Sequence, residues 1–286
     1  MPNIDISKVS EIIKEVAADK IAPRYLQLGD GHIKTKSGPT DLVTIADEEA
    51  EIELTRILKD FLPGSQVIGE EAVSNGKAVR QDLQRSDDYF WIVDPVDGTH
   101  NFAHGVPIFG TMVALVRKGE RIASWIFQIP KDRMIAGEKG AGIRIDGASF
   151  QPPPKPSDDE DFKNMKAFIS RMFMPPTIRP YVDQQVTKMA DASTHRCCAW
   201  EYIELMEGER AFSVYKRIEP WDHMAGVLLL EEAGFYVRKW DGQPYGGSDL
   251  SGGLINAPSE ILWERVYETF LKEPLRANPP PGFAVR

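Results

Sequence analysis

Tyr89 to Val93, YFWIV, is an unbroken apolar run that stops at Asp94-Pro95-Val96-Asp97-Gly98-Thr99. A short apolar run bounded by turn residues reads as a buried strand. Two carboxylates, three residues apart, therefore stand where a strand gives way to a loop. Pro95 stiffens the backbone between them and removes a donor. Gly98 lets the chain turn or approach a ligand closely. Thr99 and Asn101 can open a short helix, whose first N–H groups would face an anion. Acid, acid, then backbone donors is what a site needs to hold a hard cation against a phosphate.

The rest of the chain limits what such a site serves. Its 286 residues suffice for one large or two ordinary domains. Apolar runs such as Met112–Val116 and Gly226–Leu230 are far too short to span a membrane. The opening MPNIDISK has no basic segment followed by an apolar core, so no signal peptide is expected. The two cysteines, Cys197 and Cys198, are neighbours; a bond between them would be strained and no other partner exists. Free thiols fit a reducing cytoplasm, where the protein is expected to reside. A net charge of −9 disfavours nucleic-acid polymers and anionic membranes as partners. It would also repel a phosphorylated metabolite unless bound cations reverse the local sign.

Periodicity supplies the framework. Ile6, Val9, Ile12, Ile13, Val16, Ala17 and Ile21 follow helical spacing, and a second helix is expected from Ala46 to Phe61, with Leu54, Ile57, Leu58 and Phe61 inward. Between them lies a loop, Gly29 to Thr40. Ser65–Gly69 reads as a strand delivering Glu70-Glu71. Strands are expected at Thr111–Val116, Ile122–Ile129 and Met134–Ala136, then a hairpin around Gly140–Ile145; consecutive strands predict an antiparallel sheet. Gln151–Asp161, Pro-rich and then acidic, reads as an exposed connection and places a boundary between domains at 1–150 and 151–286. Beyond it, a helix runs from His223 to Ala233 with Asp222 at its start. Phe235–Trp240 and Gln243–Tyr245 suggest a hairpin, Pro258–Leu271 is a last helix with Ile261, Leu262, Val266 and Phe270 inward, and the tail from Asn278 is loose or docked on a partner. The whole reads as a layered α/β protein: an N-terminal α+β half with an antiparallel sheet, and a C-terminal α/β half.

Five acids stand out by context: Asp47, Glu70, Asp94, Asp97 and Asp222. Each has an ordinary explanation, as a helix cap worth roughly 1 kcal/mol or a solvated loop residue. Were they to converge, carboxylates about 4 Å apart would repel by roughly 4 kcal/mol per pair at an effective dielectric of 20. Such a cluster is tolerable only protonated or loaded with metal, and oxygen-only ligands favour Mg²⁺ or Mn²⁺ over Zn²⁺. His100 and His104, four apart, read as structural, and Gly137–Gly142 lacks the strand–turn–helix context of a dinucleotide loop.

The motifs resemble those of the inositol monophosphatase family of Mg²⁺-dependent, lithium-sensitive phosphatases. The matching pieces are Asp41-Leu-Val-Thr-Ile-Ala-Asp47, Ile68-Gly-Glu-Glu71, Trp91 to Thr99 with Asn101-Phe102, and Pro220-Trp-Asp222 with Ala225-Gly226. The resemblance implies a two-domain αβαβα sandwich, a homodimer, and two to three Mg²⁺ per active site with Mn²⁺ as a possible substitute. It implies that Glu70, Asp94 and the Val96 carbonyl hold a first ion, and Asp94, Asp97 and Asp222 a second. Glu70 would serve a third through waters. Asp47 and Thr99 would orient and help deprotonate the attacking water, and the N–H groups of Gly98 and Thr99 would hold phosphate oxygens. The activity implied is hydrolysis of a small phosphate monoester.

One region departs from the pattern. Family members that prefer inositol phosphates carry an acid seven positions before the Asp of Trp-Asp; here that position is Tyr215, followed by Lys216 and Arg217. Arg196, Cys197 and Cys198 stand where small pocket residues are usual. Tyr215, Arg196 and Lys216 are thus the candidate substrate contacts, and the cations would favour a second anionic group on the substrate. Surface charge is the plainer explanation of the same side chains. Another sugar phosphate, a sugar bisphosphate and a 3′-phosphoadenosine nucleotide are the alternative esters, and a non-catalytic binding protein of the same fold is the alternative function.

Overall fold

The computed structural model describes residues 4–29, 33–35, 42–85, 87–248 and 250–279. Most of the expected loop over 29–40, together with Asp41 and the tail beyond 279, lies outside the described residues. In chain order come α1 (Ile6–Val16), β1 (Ile33–Thr35), β2 (Leu42–Thr44), α2 (Ile45–Phe61), β3 (Gln66–Gly69), α3 (Glu70–Ser74), α4 (Asp82–Arg85), β4 (Tyr89–Asp97) and α5 (Thr99–Ala103). A meander follows: β5 (Gly110–Arg117), β6 (Glu120–Gln128), β7 (Arg133–Glu138), β8 (Gly142–Ile145) and β9 (Ala148–Phe150). After an exposed coil come β10 (Lys166–Ile169), α6 (Arg179–Val186), β11 (Asp191–Ser193), α7 (Cys198–Met206), β12 (Phe212–Tyr215), α8 (Pro220–Glu232), β13 (Tyr236–Lys239), β14 (Leu254–Ala257), α9 (Glu260–Tyr267) and α10 (Glu273–Ala277).

β3 to β9 form a seven-stranded sheet in sequence order, antiparallel except where edge strand β3 runs parallel to β4. The second sheet has the order β11-β10-β12-β14-β13, with β10 parallel to both its neighbours. Strand alternation sends successive side chains to opposite faces. On β4 and β5, Trp91, Val93, Val113 and Leu115 meet α1 and α2, while Phe90, Ile92, Met112, Ala114 and Val116 meet α7 and α8. Both faces are apolar, which is why these strands read as continuous rather than alternating hydrophobic runs. α7 and α8 are shared, since Tyr215, Val237 and Leu254 of the second sheet close the same central core. α6 and α9 cover that sheet's far side around Trp240, Trp263 and Phe270. The result is five layers, αβαβα.

Three expectations need correction. Gln243–Tyr245 is not a strand; β13 pairs instead with Leu254–Ala257, more distant in sequence. The last helix breaks after Tyr267 into a π-helical turn over Glu268–Lys272 before α10. The inward stripe runs through Leu262, Trp263, Val266, Tyr267 and Phe270, so Ile261 falls off it and is 60% exposed.

Gly226 sets how closely α7 and α8 approach. A Cβ there would lie 2.1 to 2.4 Å from ring carbons of Tyr202. Helix propensity favours Ala over Gly by about 1 kcal/mol. Overpacking a core typically costs about 1–3 kcal/mol and opposes that gain. Gly226→Ala is therefore expected to lower stability in urea titration, with the midpoint moving down. A midpoint that rises would mean that the helices can separate freely.

Candidate active site

Each acid of the site is delivered by a different local device. β4 carries Asp94 opposite Met112 and Asp97 opposite Gly110, with an irregularity between them at Pro95. The Pro95 carbonyl accepts from Thr111 Oγ1 at 2.8 Å in place of a regular ladder bond. Such bulges re-aim side chains next to functional sites. Gly98 then turns the chain with φ +87°, and a Cβ there would lie 2.8 Å from the Ile108 carbonyl. Only glycine fits, and α5 begins at Thr99.

Glu70 opens α3 directly after β3. The first turn of that helix is held by Glu51, whose two carboxylate oxygens accept from the Glu71 and Ala72 N–H groups at 2.7 Å each. Sequence reasoning missed Glu51, although it left a signal. Asp47 and Glu51 are one helical turn apart on the stripe of α2 that also holds Ala46, Ala50, Leu54 and Leu58, and acids are rarely placed on an apolar stripe without a partner. Asp222 lies in the first turn of α8, which starts two residues before it at Pro220.

These devices bring carboxylate oxygens of Glu70, Asp94 and Asp222 within 4.8 Å of one another. Asp94 is 2% exposed, and its Oδ1 is buried without a hydrogen-bond partner. Burial first, then the charges of Glu70, Asp97 and Asp222, push the Asp94 carboxyl well above the ordinary range. Asp222 is raised well above it too, by burial against the opposing pull of Arg217. Asp97 is raised to about 6, mainly by burial. Its Oδ2 accepts from the Ala199 N–H at 2.5 Å and from the Cys197 thiol at 3.1 Å, which ties it to the start of α7. The oxygen-only donor set, its burial and the orphaned Asp94 Oδ1 fit a hard divalent cation.

Asp47 has two roles on two oxygens. Oδ2 accepts from the Thr44 N–H at 2.9 Å and the Thr44 hydroxyl at 2.5 Å, closing a capping box. Oδ1 lies 3.0 Å from Thr99 Oγ1, which is also 2.8 Å from the Val96 carbonyl.

The cleft over the acids is lined by Glu70, Asp94, Val96, Asp97, Gly98, Thr99 and Asp222, and also by Arg196 and Arg217. Two candidate substrate contacts do not reach it. Tyr215, at the inward end of β12, donates its hydroxyl to buried Glu201 at 2.7 Å. Lys216 turns the other way, with Nζ 6.0 Å from the Trp240 ring centroid. Arg217, the next residue, is the one that lines the cleft. His100 and His104 stack on each other at 4.2 Å.

The chain matches the model of the inositol monophosphatase family over residues 5–274. Inositol monophosphatase 1 of Bos taurus is 35% identical over 261 residues, covering 86% of this chain and 88% of that protein. Among solved structures, an IMPase of Thermotoga maritima superposes with a TM-score of 0.77 at 20% identity, covering 95% of this chain and 98% of that one. An IMPase/NADP phosphatase complexed with Mg²⁺ and phosphate superposes with a TM-score of 0.76 at 19% identity, covering 96% and 98%.

The raised carboxyls fix a sign for the pH response. A carboxyl pushed above its unfolded value binds its proton more tightly in the folded state, so ionisation removes stability as pH rises from the ordinary carboxylate range toward the folded value. Asp94→Asn keeps the shape without the charge. In EDTA it is expected to stabilise the protein at pH 8 by about 1–3 kcal/mol, the cost of an unsatisfied buried polar group, with little effect at pH 4. Calorimetric melting at both pH values checks this, and equal shifts would contradict it.

Proposed function

The chain belongs to the inositol monophosphatase family, and we propose that it hydrolyses a small phosphate monoester with Mg²⁺, using water as the nucleophile. The observation that carries this is the buried Glu70–Asp94–Asp222 cluster with its orphaned Asp94 Oδ1. Those three acids, Asp97 through the oxygen that α7 leaves over, and the Val96 carbonyl would hold the cations. When bound, divalent cations supply countercharge to the phosphate, acidify water and stabilise the leaving oxygen. A family member complexed with Mg²⁺ and phosphate supports the choice of ion.

The chain's own residues do the rest. Asp47 Oδ1 fixes the Thr99 hydroxyl, so that Thr99 Oγ1 can accept from the attacking water and pass a proton to Asp47. The N–H groups of Gly98 and Thr99, at the turn into α5, would donate to phosphate oxygens. Cys198 also lines the cleft, but burial pushes its thiol well above the ordinary range. A protonated thiol is a poor nucleophile, which supports direct attack by water.

The finer assignments rest on family membership. Two cations at Glu70, Asp94, Asp97 and Asp222, with a third weaker one at Glu70, follow from it, as do inhibition by Li⁺ and a homodimer. Mn²⁺ shares the preference for hard oxygen ligands and would substitute. A cytoplasmic location accords with the two free thiols, and no described helix is long and apolar enough to cross a membrane.

Phosphate release from phenyl phosphate should require Mg²⁺ and stop in EDTA. Asp94→Asn should lower kcat by at least about 10³-fold with the circular dichroism spectrum retained, the scale set by losing an electrostatic contributor. Thr99→Ala should lower it by about 10²–10⁴-fold, the usual contribution of a positioned proton acceptor. Turnover in ¹⁸O-water should place one labelled oxygen in the phosphate. An isolable phospho-enzyme, or an Asp94→Asn variant with full activity, would overturn the assignment. No release from any ester would favour a binding protein of the same fold.

A further inference from the structure

The phosphatase reading leaves part of the cleft without a role. Beyond the acids and the Val96–Thr99 turn, its lining includes Ser170, Met172, Phe173, Thr194, Arg196 and Arg217, and it holds no further carboxylate. Arg196 reaches His100 Nε2 at 3.4 Å with one guanidinium nitrogen and Met172 Sδ at 4.0 Å with the other. Among the described residues it has no ion-pair partner. Arg217 lies with its guanidinium 5.4 Å from the Phe173 ring centroid, and its charge reaches Asp222. Met172 and Phe173 are 45% and 47% exposed, apolar side chains standing at the mouth of a polar site.

Two further observations say that these arginines are held in place. Arg196 has φ +57°, in the left-handed region that favours glycine. Its N–H donates to Thr194 Oγ1 at 3.0 Å, closing a tight turn just before α7. A large side chain kept in that conformation is a strain of the kind that collects at ligand clamps. The segment carrying Arg217 is fixed through its carbonyl, 3.0 Å from His223 Nε2, while His223 Nδ1 lies 2.8 Å from the Tyr202 hydroxyl. The positive wall continues outward. A neighbouring cavity shares Met172 and Thr194 and is lined by Arg171, Arg179 and Asp183, where two guanidiniums share one carboxylate.

We infer that Arg196 and Arg217, backed by Met172 and Phe173, form a subsite for a second anionic group, so that the preferred substrate is a phosphate ester whose far end carries a carboxylate or a second phosphate. This rests on the phosphatase reading. A guanidinium offers five donors and no acceptor, and it pairs with both oxygens of a carboxylate or phosphate. A neutral polyol end gains little from it.

Two substrate pairs test the inference by kcat/KM with Mg²⁺. 3-Phosphoglycerate against glycerol 3-phosphate isolates a carboxylate, and fructose 1,6-bisphosphate against fructose 6-phosphate isolates a second phosphate. At least one anionic member should be preferred by about 10-fold or more, the scale of a charge-assisted contact, and the pair that shows it identifies the group. Arg196→Gly should carry that ratio towards one while its melting temperature stays at or above that of the parent, because glycine relieves the left-handed strain. Arg196→Lys should keep part of the preference. Ratios near one in both pairs, or a preference untouched in Arg196→Gly and in Arg217→Gln, would overturn the subsite while leaving the phosphatase standing. Absence of turnover on every ester, neutral members included, would remove the phosphatase reading and the subsite with it.

Discussion

Glu70, Asp94 and Asp222 come from three distant segments and meet with oxygens within 4.8 Å, an arrangement unfavourable in itself. Burial raises the cost of each charge and mutual repulsion adds to it. The fold tolerates the cluster because the elements carrying it are fixed elsewhere. β4 is paired on both sides within the large sheet, α8 lies against Tyr202 where Gly226 leaves room, and α3 is capped by Glu51. Packing energy thus holds apart from solvent a set of charges that would otherwise separate, and the stored repulsion is what makes the site receptive to a cation.

The acids divide their oxygens between architecture and chemistry. Asp47 caps α2 with Oδ2 and presents Oδ1 to Thr99. Asp97 gives Oδ2 to the start of α7. Asp94, buried as well, leaves Oδ1 with no partner among the described residues. One oxygen tethered to backbone fixes the direction of the other, and a ligand set oriented in this way loses little entropy when it closes on an ion. The ordinary explanation of these residues and the proposed functional one are therefore compatible, since they use different atoms.

This double use also explains what could be read in the sequence. The acid motifs were legible because their surroundings are local: an apolar strand ending in two carboxylates, or an acid in the first turn of a helix. The strands followed from continuous apolar runs bounded by turn residues and the first helices from the spacing of α1 and α2, whereas the five-layer order came with the family resemblance. The failures concern pairings that no local pattern carries. β14, only four residues long and wholly buried, offers no alternation to distinguish it, so β13 was given the wrong partner. Ile261 and Trp263 are both apolar, and only packing against the second sheet decides that the stripe runs through Leu262 and Trp263 rather than Ile261. Tyr215 and Lys216 were sound candidates by position, but a β-strand end sends neighbours to opposite sides, and neither side there is the cleft.

The same geometry sets the electrostatics of substrate entry. A chain with net charge −9 and an acidic pocket floor repels a phosphate ester at long range. Cations on the acids reverse the sign at the floor but act over a short distance in salt, where screening sets in within about 10 Å. Arg196 and Arg217 stand at the mouth, and Arg171 and Arg179 extend their sign outward with a single carboxylate between them. An anionic ester approaching the cleft therefore meets positive charge before it meets the acids. On the proposed assignments, steering and selection would fall to one set of side chains and bond cleavage to another, so that substitutions among the arginines could change the substrate without disturbing the acids beneath them.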